Sequence, residues 1–105
     1  MNGVEVYRGE FALPLASSML YEERARKAMK TDPQAALVAA TEAVAIAPQG
    51  LDARLERGNA LSALGRKREA VEEYRKVKVI AEGMEPGTKE TWEGKMDGLI
   101  AKSSE

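Results

Sequence analysis

The stretch from Gly58 to Tyr74, GNALSALGRKREAVEEY, decides the fold. Its apolar residues follow a helical pattern on both sides of Gly65, which is typical of the glycine that ends one helix before the next begins. Gly58, however, lies inside the first helical run, where glycine costs about 1 kcal/mol relative to alanine. We expect Gly58 and Ala70 to face each other across a helical hairpin. Their small size would let the two backbones approach closely, with Tyr74 filling the space one turn further on.

Apolar residues recur at helical spacing along the rest of the chain as well. Asp32 and Pro33 form a helix start, because aspartate is a good N-cap and proline suits the first helical position. The turns are short, so consecutive helices should pack as antiparallel hairpins. The sequence therefore predicts an all-α fold of about five helices. The predicted apolar stripes are Tyr21, Ala25, Ala28 and Met29; Ala36, Leu37, Ala40, Ala43 and Val44; Leu51, Leu55, Gly58, Leu61 and Leu64; Ala70, Val71, Tyr74, Val77 and Ala81; and Trp92, Met96, Leu99 and Ile100.

The composition excludes several classes of protein. With 16 basic and 17 acidic residues the net charge is −1, which argues against binding to nucleic acid or to a membrane surface. No cysteine or histidine is present, so disulfides, Cys/His zinc sites and histidine-dependent catalysis are excluded. No apolar run is long enough to span a bilayer, and the N-terminus lacks the pattern of a signal peptide. We expect a cytoplasmic protein without membrane insertion.

No group of residues predicts an active site, a metal site or a cofactor site. Adjacent carboxylates such as Glu72 and Glu73 point about 100° apart on a helix, so they do not share a site. The charged residues between Arg66 and Lys78 include i,i+4 pairs of opposite sign, which is typical of a solvated helix face. We therefore expect no enzyme activity, no cofactor and no bound metal. The methionines are scattered along the chain rather than arranged in a stripe, which favours a role as core filler.

A two-helix period of about 34 residues is typical of tetratricopeptide repeats, and the residues of two periods resemble that family. The resemblance implies a short superhelix of stacked antiparallel hairpins. Arg54 and Arg57 depart from the family pattern, which favours an aromatic residue and a leucine at those positions. The matching positions are Ala36, Leu37, Ala43 and Pro48 in the first unit, and Gly58, Asn59, Gly65, Ala70 and Tyr74 in the second.

The resemblance also divides the chain into an N-terminal segment, 1–13, and a repeat domain, 14–105. Within the domain, repeat one covers about 17–50, repeat two about 51–84, and a capping helix about 86–102. The segment 1–13 is too apolar for a simple tail. Three alternatives stay open for it: packing on the first helix, contact with a partner or a second copy, and disorder. A homodimer could form through this segment or through the capping helix.

In the tetratricopeptide family, the first helix of each hairpin lines a concave groove that binds peptides. The resemblance thus implies a non-catalytic protein–protein interaction module that binds a peptide or helix of a partner. The alternatives are a small chaperone dedicated to one secretion or assembly subunit, and a non-catalytic subunit of an enzyme complex. Asn59 could contact the ligand or bond locally to the backbone. The implied groove residues are Ser18, Tyr21, Ala25, Asp52, Leu55, Asn59 and Ser62.

Overall fold

The computed structural model describes residues 17–103, and this part of the chain is entirely helical apart from its turns. The all-α prediction is confirmed for these residues, which contain no strand. The predicted N-terminal segment 1–13 lies outside the described residues. The five helices are α1 (17–28), α2 (Pro33–Ile46), α3 (Leu51–Ala63), α4 (Lys67–Ala81) and α5 (Pro86–Ser103).

The start of α2 is fixed by the residues that the sequence predicts for it. The Asp32 carboxylate accepts a hydrogen bond from the Ala35 backbone N–H at 3.1 Å, and Pro33 occupies the first turn. This bond satisfies one of the backbone donors that a helix N-terminus leaves unpaired. The Ser18 hydroxyl near the start of α1 lies 3.4 Å from the Ala43 carbonyl near the end of α2, as expected for an antiparallel hairpin.

The turn between α3 and α4 depends on Gly65, whose φ is +79°. The Gly65 N–H donates to the Ser62 carbonyl at 3.0 Å, and the Arg66 N–H donates to the Leu61 carbonyl at 2.9 Å. This pair of bonds is a Schellman motif, which closes a helix around one left-handed residue. Glycine adopts that conformation without a steric penalty. The prediction that Gly65 ends the helix is confirmed.

Consecutive helices pack against each other: α2 on α3, α3 on α4, and α4 on α5. The helix α5 buries Met96 completely, while Trp92, Leu99 and Ile100 pack at the edge of the core. Lys78 of α4 and Asp97 of α5 form an ion pair at 2.7 Å beside this contact. The core cluster comprises Ala36, Leu37, Leu55, Ala60, Leu61, Ala70, Tyr74, Val77 and Met96.

Gly58 is a close-contact position, as the sequence predicts, and the atoms nearest to a Cβ at this position belong to Tyr74. A Cβ atom built on Gly58 would lie 2.5 Å from Cε1 and 2.9 Å from Cδ1 of Tyr74. Tyr74 is only 1% exposed, so its ring has little room to move away. The aromatic ring of α4 therefore lies directly on the α3 backbone, and glycine is the residue that permits this contact.

The charged face of α4 is not wholly solvated, contrary to the prediction. Glu73 is 1% exposed and lies between α3 and α4. Its Oε1 accepts from Arg54 at 3.1 Å and pairs with Arg57 at 3.2 Å, while Lys76 lies 3.6 Å from Oε2. Arg54 also donates to the Pro48 carbonyl at 3.0 Å. The two arginines that depart from the repeat pattern thus neutralise one buried carboxylate.

Candidate functional site

An open cleft of about 690 Å³ lies between α1, the start of α3 and α5. Its wall combines apolar side chains with carboxylates, and we call it the acidic cleft. Met19 and Leu20 are 58% and 50% exposed, which is unusual for large apolar residues in this chain. The described residues that line it are Ser18, Met19, Leu20, Glu22, Glu23, Arg26, Ala47, Gln49, Gly50, Leu51, Asp52, Met84 and Trp92.

A second open cleft, of about 530 Å³, lies beside the first at the other end of α3. It carries three cationic side chains and no carboxylate among the described residues that line it, so we call it the basic cleft. Those residues are Arg26, Met29, Asn59, Ser62, Ala63, Lys67, Tyr74, Leu99, Lys102 and Ser103.

Arg26 of α1 lines both clefts, so the two clefts meet at this side chain, and we refer to them together as the groove. Its guanidinium is half-exposed and donates to Oε2 of Glu56 on α3 at 3.1 Å. Burial raises the pKa of the Glu56 carboxyl, and the bond and charge of Arg26 counteract part of this rise. Arg26 is therefore held at the middle of the groove by a carboxylate that lies mostly below the surface.

The predicted groove residues do not all lie in one place: some line the acidic cleft, some line the basic cleft, and some are buried in the core. Ser18 and Asp52 line the acidic cleft, and Asn59 and Ser62 line the basic cleft. Ala25 is fully buried and Leu55 is 6% exposed, so neither presents much side-chain surface to a ligand. Both are absent from the residues that line these two clefts.

Tyr21 and Ser18 each have a partner within the protein. Tyr21 is partly buried, lies outside both linings and carries the Arg24 guanidinium 5.1 Å from its ring centroid. The Ser18 hydroxyl donates to Glu22 at 2.8 Å and lies 3.4 Å from the Ala43 carbonyl of α2. Because Ser18 is almost fully buried, its main contribution to the cleft is to hold the Glu22 carboxylate in place.

Asn59 makes a contact that the sequence does not predict. Its Oδ1 accepts a hydrogen bond from the Tyr74 hydroxyl at 2.9 Å, so the amide bonds to a side chain rather than to the local backbone. Burial raises the pKa of the Tyr74 phenol to about 12, although a hydrogen bond with Ser62 acts in the opposite direction. Asn59, Ser62 and Tyr74 form the polar floor of the basic cleft.

We expect the fold to lose stability as the pH rises from 10 to 12. The raised pKa of folded Tyr74 means that the unfolded chain releases this proton first, from a phenol with an ordinary pKa of 10.0. The linked stability is fully present below pH 10 and disappears as the pH passes through the folded pKa. Ultraviolet absorbance of tyrosinate, compared with Tyr74→Phe, measures the ionisation. A Tyr74 transition near pH 10 in the folded protein would contradict the assignment.

Several groove residues are missed by sequence reasoning. Trp92, Met84, Leu99 and Lys102 come from α5 or from the turn before it, which the sequence assigns to a cap. Lys67 comes from the first turn of α4, which the repeat pattern places in an outer helix. A helical-wheel plot of α5 could have found Lys102, since Leu99 lies three residues before it on the same face of the helix.

Comparisons of the chain with protein-family models, with curated proteins and with solved structures find no match. Within residues 17–103, no group of three or more histidine, cysteine, aspartate or glutamate side chains could hold a metal ion. In the same part of the chain, no helix combines the length and apolar character of a membrane span. The groove geometry is thus the main guide to function.

Proposed function

We propose that this chain is a non-catalytic protein-interaction module that binds a peptide or a helical segment of a protein partner. The groove formed by the acidic and basic clefts would be the binding surface. One observation carries the proposal: two open clefts lie side by side and share Arg26. Both are lined by residues of α1, α3 and α5. The sequence resemblance to tetratricopeptide repeats supports the same use of the first helix in each hairpin.

The exposed apolar residues of the acidic cleft favour a protein ligand. Met19 and Leu20 lie within the cleft together with Leu51, Met84 and Trp92. Burial of one such side chain against a partner contributes about 1.5–3 kcal/mol. A few central side chains commonly supply most of the affinity of a protein interface. A segment that covers Met19 and Leu20 would therefore gain much of its affinity there.

Exchange of Met19 and Leu20 for serine should weaken partner binding by roughly tenfold or more, since each 1.4 kcal/mol changes the affinity tenfold. The partner is first isolated by cross-linking in cells of the source organism and identified by mass spectrometry. Its affinity for each purified variant is then measured by calorimetry. Both residues are exposed, so the melting temperature should change little.

The chain offers a matched control in Val38 and Val79, which are 59% and 64% exposed and lie outside both clefts. Their replacement by serine removes a similar exposed apolar surface and should leave the affinity unchanged. If the valine pair weakens binding and the Met19 and Leu20 pair does not, the groove is not the binding surface.

A further inference from the structure

The charges along the groove are separated by sign. The acidic cleft carries Glu22, Glu23 and Asp52 against the single cation Arg26. Glu23 pairs with Lys27 on the surface at 3.3 Å, and Glu22 accepts from Ser18. Asp52 is exposed and forms no ion pair with any described residue. Its carboxylate is therefore available to a cation on a ligand.

The basic cleft has the opposite sign. Lys67 and Lys102 are exposed and form no ion pair with any of residues 17–103. Arg26 is already neutralised by Glu56, so these two lysines provide the free positive charge. The Asn59 amide N–H groups and the Ser62 hydroxyl lie in the same cleft and can donate to a carboxylate, whereas the Tyr74 hydroxyl already donates to Asn59 Oδ1.

The length of the groove can be read from α3. Asp52 lines the acidic cleft and Ser62 lines the basic cleft, ten residues apart on one helix. At a rise of about 1.5 Å per residue this corresponds to roughly 15 Å. An extended peptide covers that distance with about five residues. Apolar side chains line both clefts: Leu51 lies in the acidic cleft, and Met29 and Leu99 lie in the basic cleft.

We infer that the ligand is a peptide segment of a protein partner with segregated charge. Its basic residues lie in the acidic cleft, and its carboxylates lie about five residues away in the basic cleft, separated by apolar side chains. This inference rests on the proposed function and adds the chemistry of the partner to it. Complementary charge at both ends would fix the orientation of the segment, because the reversed orientation places like charges together.

Synthetic fluorescent peptides test this inference by anisotropy. One peptide has lysines at one end, an apolar middle of about five residues and glutamates at the other end. The control peptide has the same composition with lysines and glutamates alternating. We expect the segregated peptide to bind at least tenfold more tightly, with an advantage that shrinks as salt screens the charges. Equal affinities, or no binding of the segregated peptide, would overturn the inference.

Charge-reversed variants show which cleft binds the carboxylates of the peptide and which binds its lysines. The double variant Lys67→Glu, Lys102→Glu should bind the segregated peptide about tenfold more weakly. It should bind a peptide with lysines at both ends more tightly than the parent protein does. General damage to the fold would not produce such a reversal. The matched control is Arg68→Glu with Arg75→Glu, exposed residues of α4 outside both clefts, which should leave the preference unchanged. An unchanged preference in the lysine variant would contradict the assignment of the basic cleft.

Other occupants of the groove would give different results. Dimerisation that competes with the peptide in sedimentation experiments would assign the groove to a second copy of the chain. Tighter peptide binding after removal of residues 1–13 would assign it to that segment. The proposed function has its own test. If replacement of Met19 and Leu20 leaves the affinity for the native partner unchanged, the groove is not the binding surface. If that loss abolishes partner binding but both peptides bind equally, only the inference about charge is wrong.

Discussion

Replacement of Glu73 by alanine is expected to lower the free energy of unfolding by about 3–5 kcal/mol. The Glu73 carboxylate is almost completely buried and accepts from Arg54 through both of its oxygens, at 3.1 and 3.2 Å. The side chains of Arg54 and Arg57 are only 16% and 28% exposed. Without Glu73 these two cations keep most of their desolvation cost and lose their counter-ion, so the folded state is selectively destabilised.

Urea unfolding followed by circular dichroism measures this effect. Glu72→Ala is the matched control, because Glu72 is the adjacent carboxylate and is exposed. Substitution of an exposed residue away from special features usually changes stability by no more than about 0.5 kcal/mol. If both variants unfold at the same urea concentration, the ion pairs of Glu73 with Arg54 and Arg57 contribute no more to stability than a surface ion pair does.

Simultaneous replacement of Arg54, Arg57 and Glu73 by leucine should recover most of the stability that Glu73→Ala loses. Buried ion clusters replaced by apolar residues of similar volume are often neutral, or stabilising by about 1–4 kcal/mol. Recovery in the triple variant would show that the damage in Glu73→Ala comes from uncompensated arginine charge. A triple variant as unstable as Glu73→Ala would indicate instead that the shape of the contact, and not its charge, is decisive.

The helix boundaries could be predicted because they depend on local chemistry. Asp32 and Pro33 begin α2, and Gly65 ends the hairpin turn, through interactions within a few residues along the chain. Backbone capping and glycine conformation follow from the residue type and its immediate neighbours. The apolar periodicity of each helix likewise identifies its buried face before any tertiary contact is known.

The role of Glu73 could not be predicted, because its partners are distant in sequence and the local pattern misleads. The charged residues around it on α4 form i,i+4 pairs of opposite sign, which predicts a solvated face. Arg54 and Arg57, considered alone, are departures from a repeat pattern. Only the packing of α3 on α4 brings these three residues together. A buried ion cluster built from residues of two helices does not change the apolar periodicity of either helix, so it cannot be detected from the sequence pattern.

The predicted groove residues overlap in part with the two clefts. Four of the seven residues that the resemblance implied, Ser18, Asp52, Asn59 and Ser62, line these clefts. Leu55 was assigned both to the apolar stripe of α3 and to the groove, and the structure places it in the core. The resemblance also assigns α5 to a cap, so the contributions of Trp92 and the free lysine Lys102 were not expected.

Substitution of Gly58 by alanine should destabilise the protein by about 1–3 kcal/mol, the usual cost of overpacking a core. Alanine forms helix more readily than glycine by about 1 kcal/mol, so local propensity alone predicts the opposite sign. The added methyl group would lie 2.5 Å from a carbon of the Tyr74 ring, and real Cβ atoms do not approach that closely. Thermal unfolding therefore separates packing from propensity.

Gly98 provides the matched control, because it also lies inside a helix but has no heavy atom of a neighbouring element within 4 Å of the place that a Cβ would occupy. Gly98→Ala should stabilise the protein by up to about 1 kcal/mol. In a Tyr74→Ala background, Gly58→Ala should also become stabilising, because the ring that it would strike is gone. The two positions are in contact, so their effects should not add. If Gly58→Ala destabilises equally with and without the Tyr74 ring, the glycine is required by the backbone and not by the aromatic side chain of the facing helix.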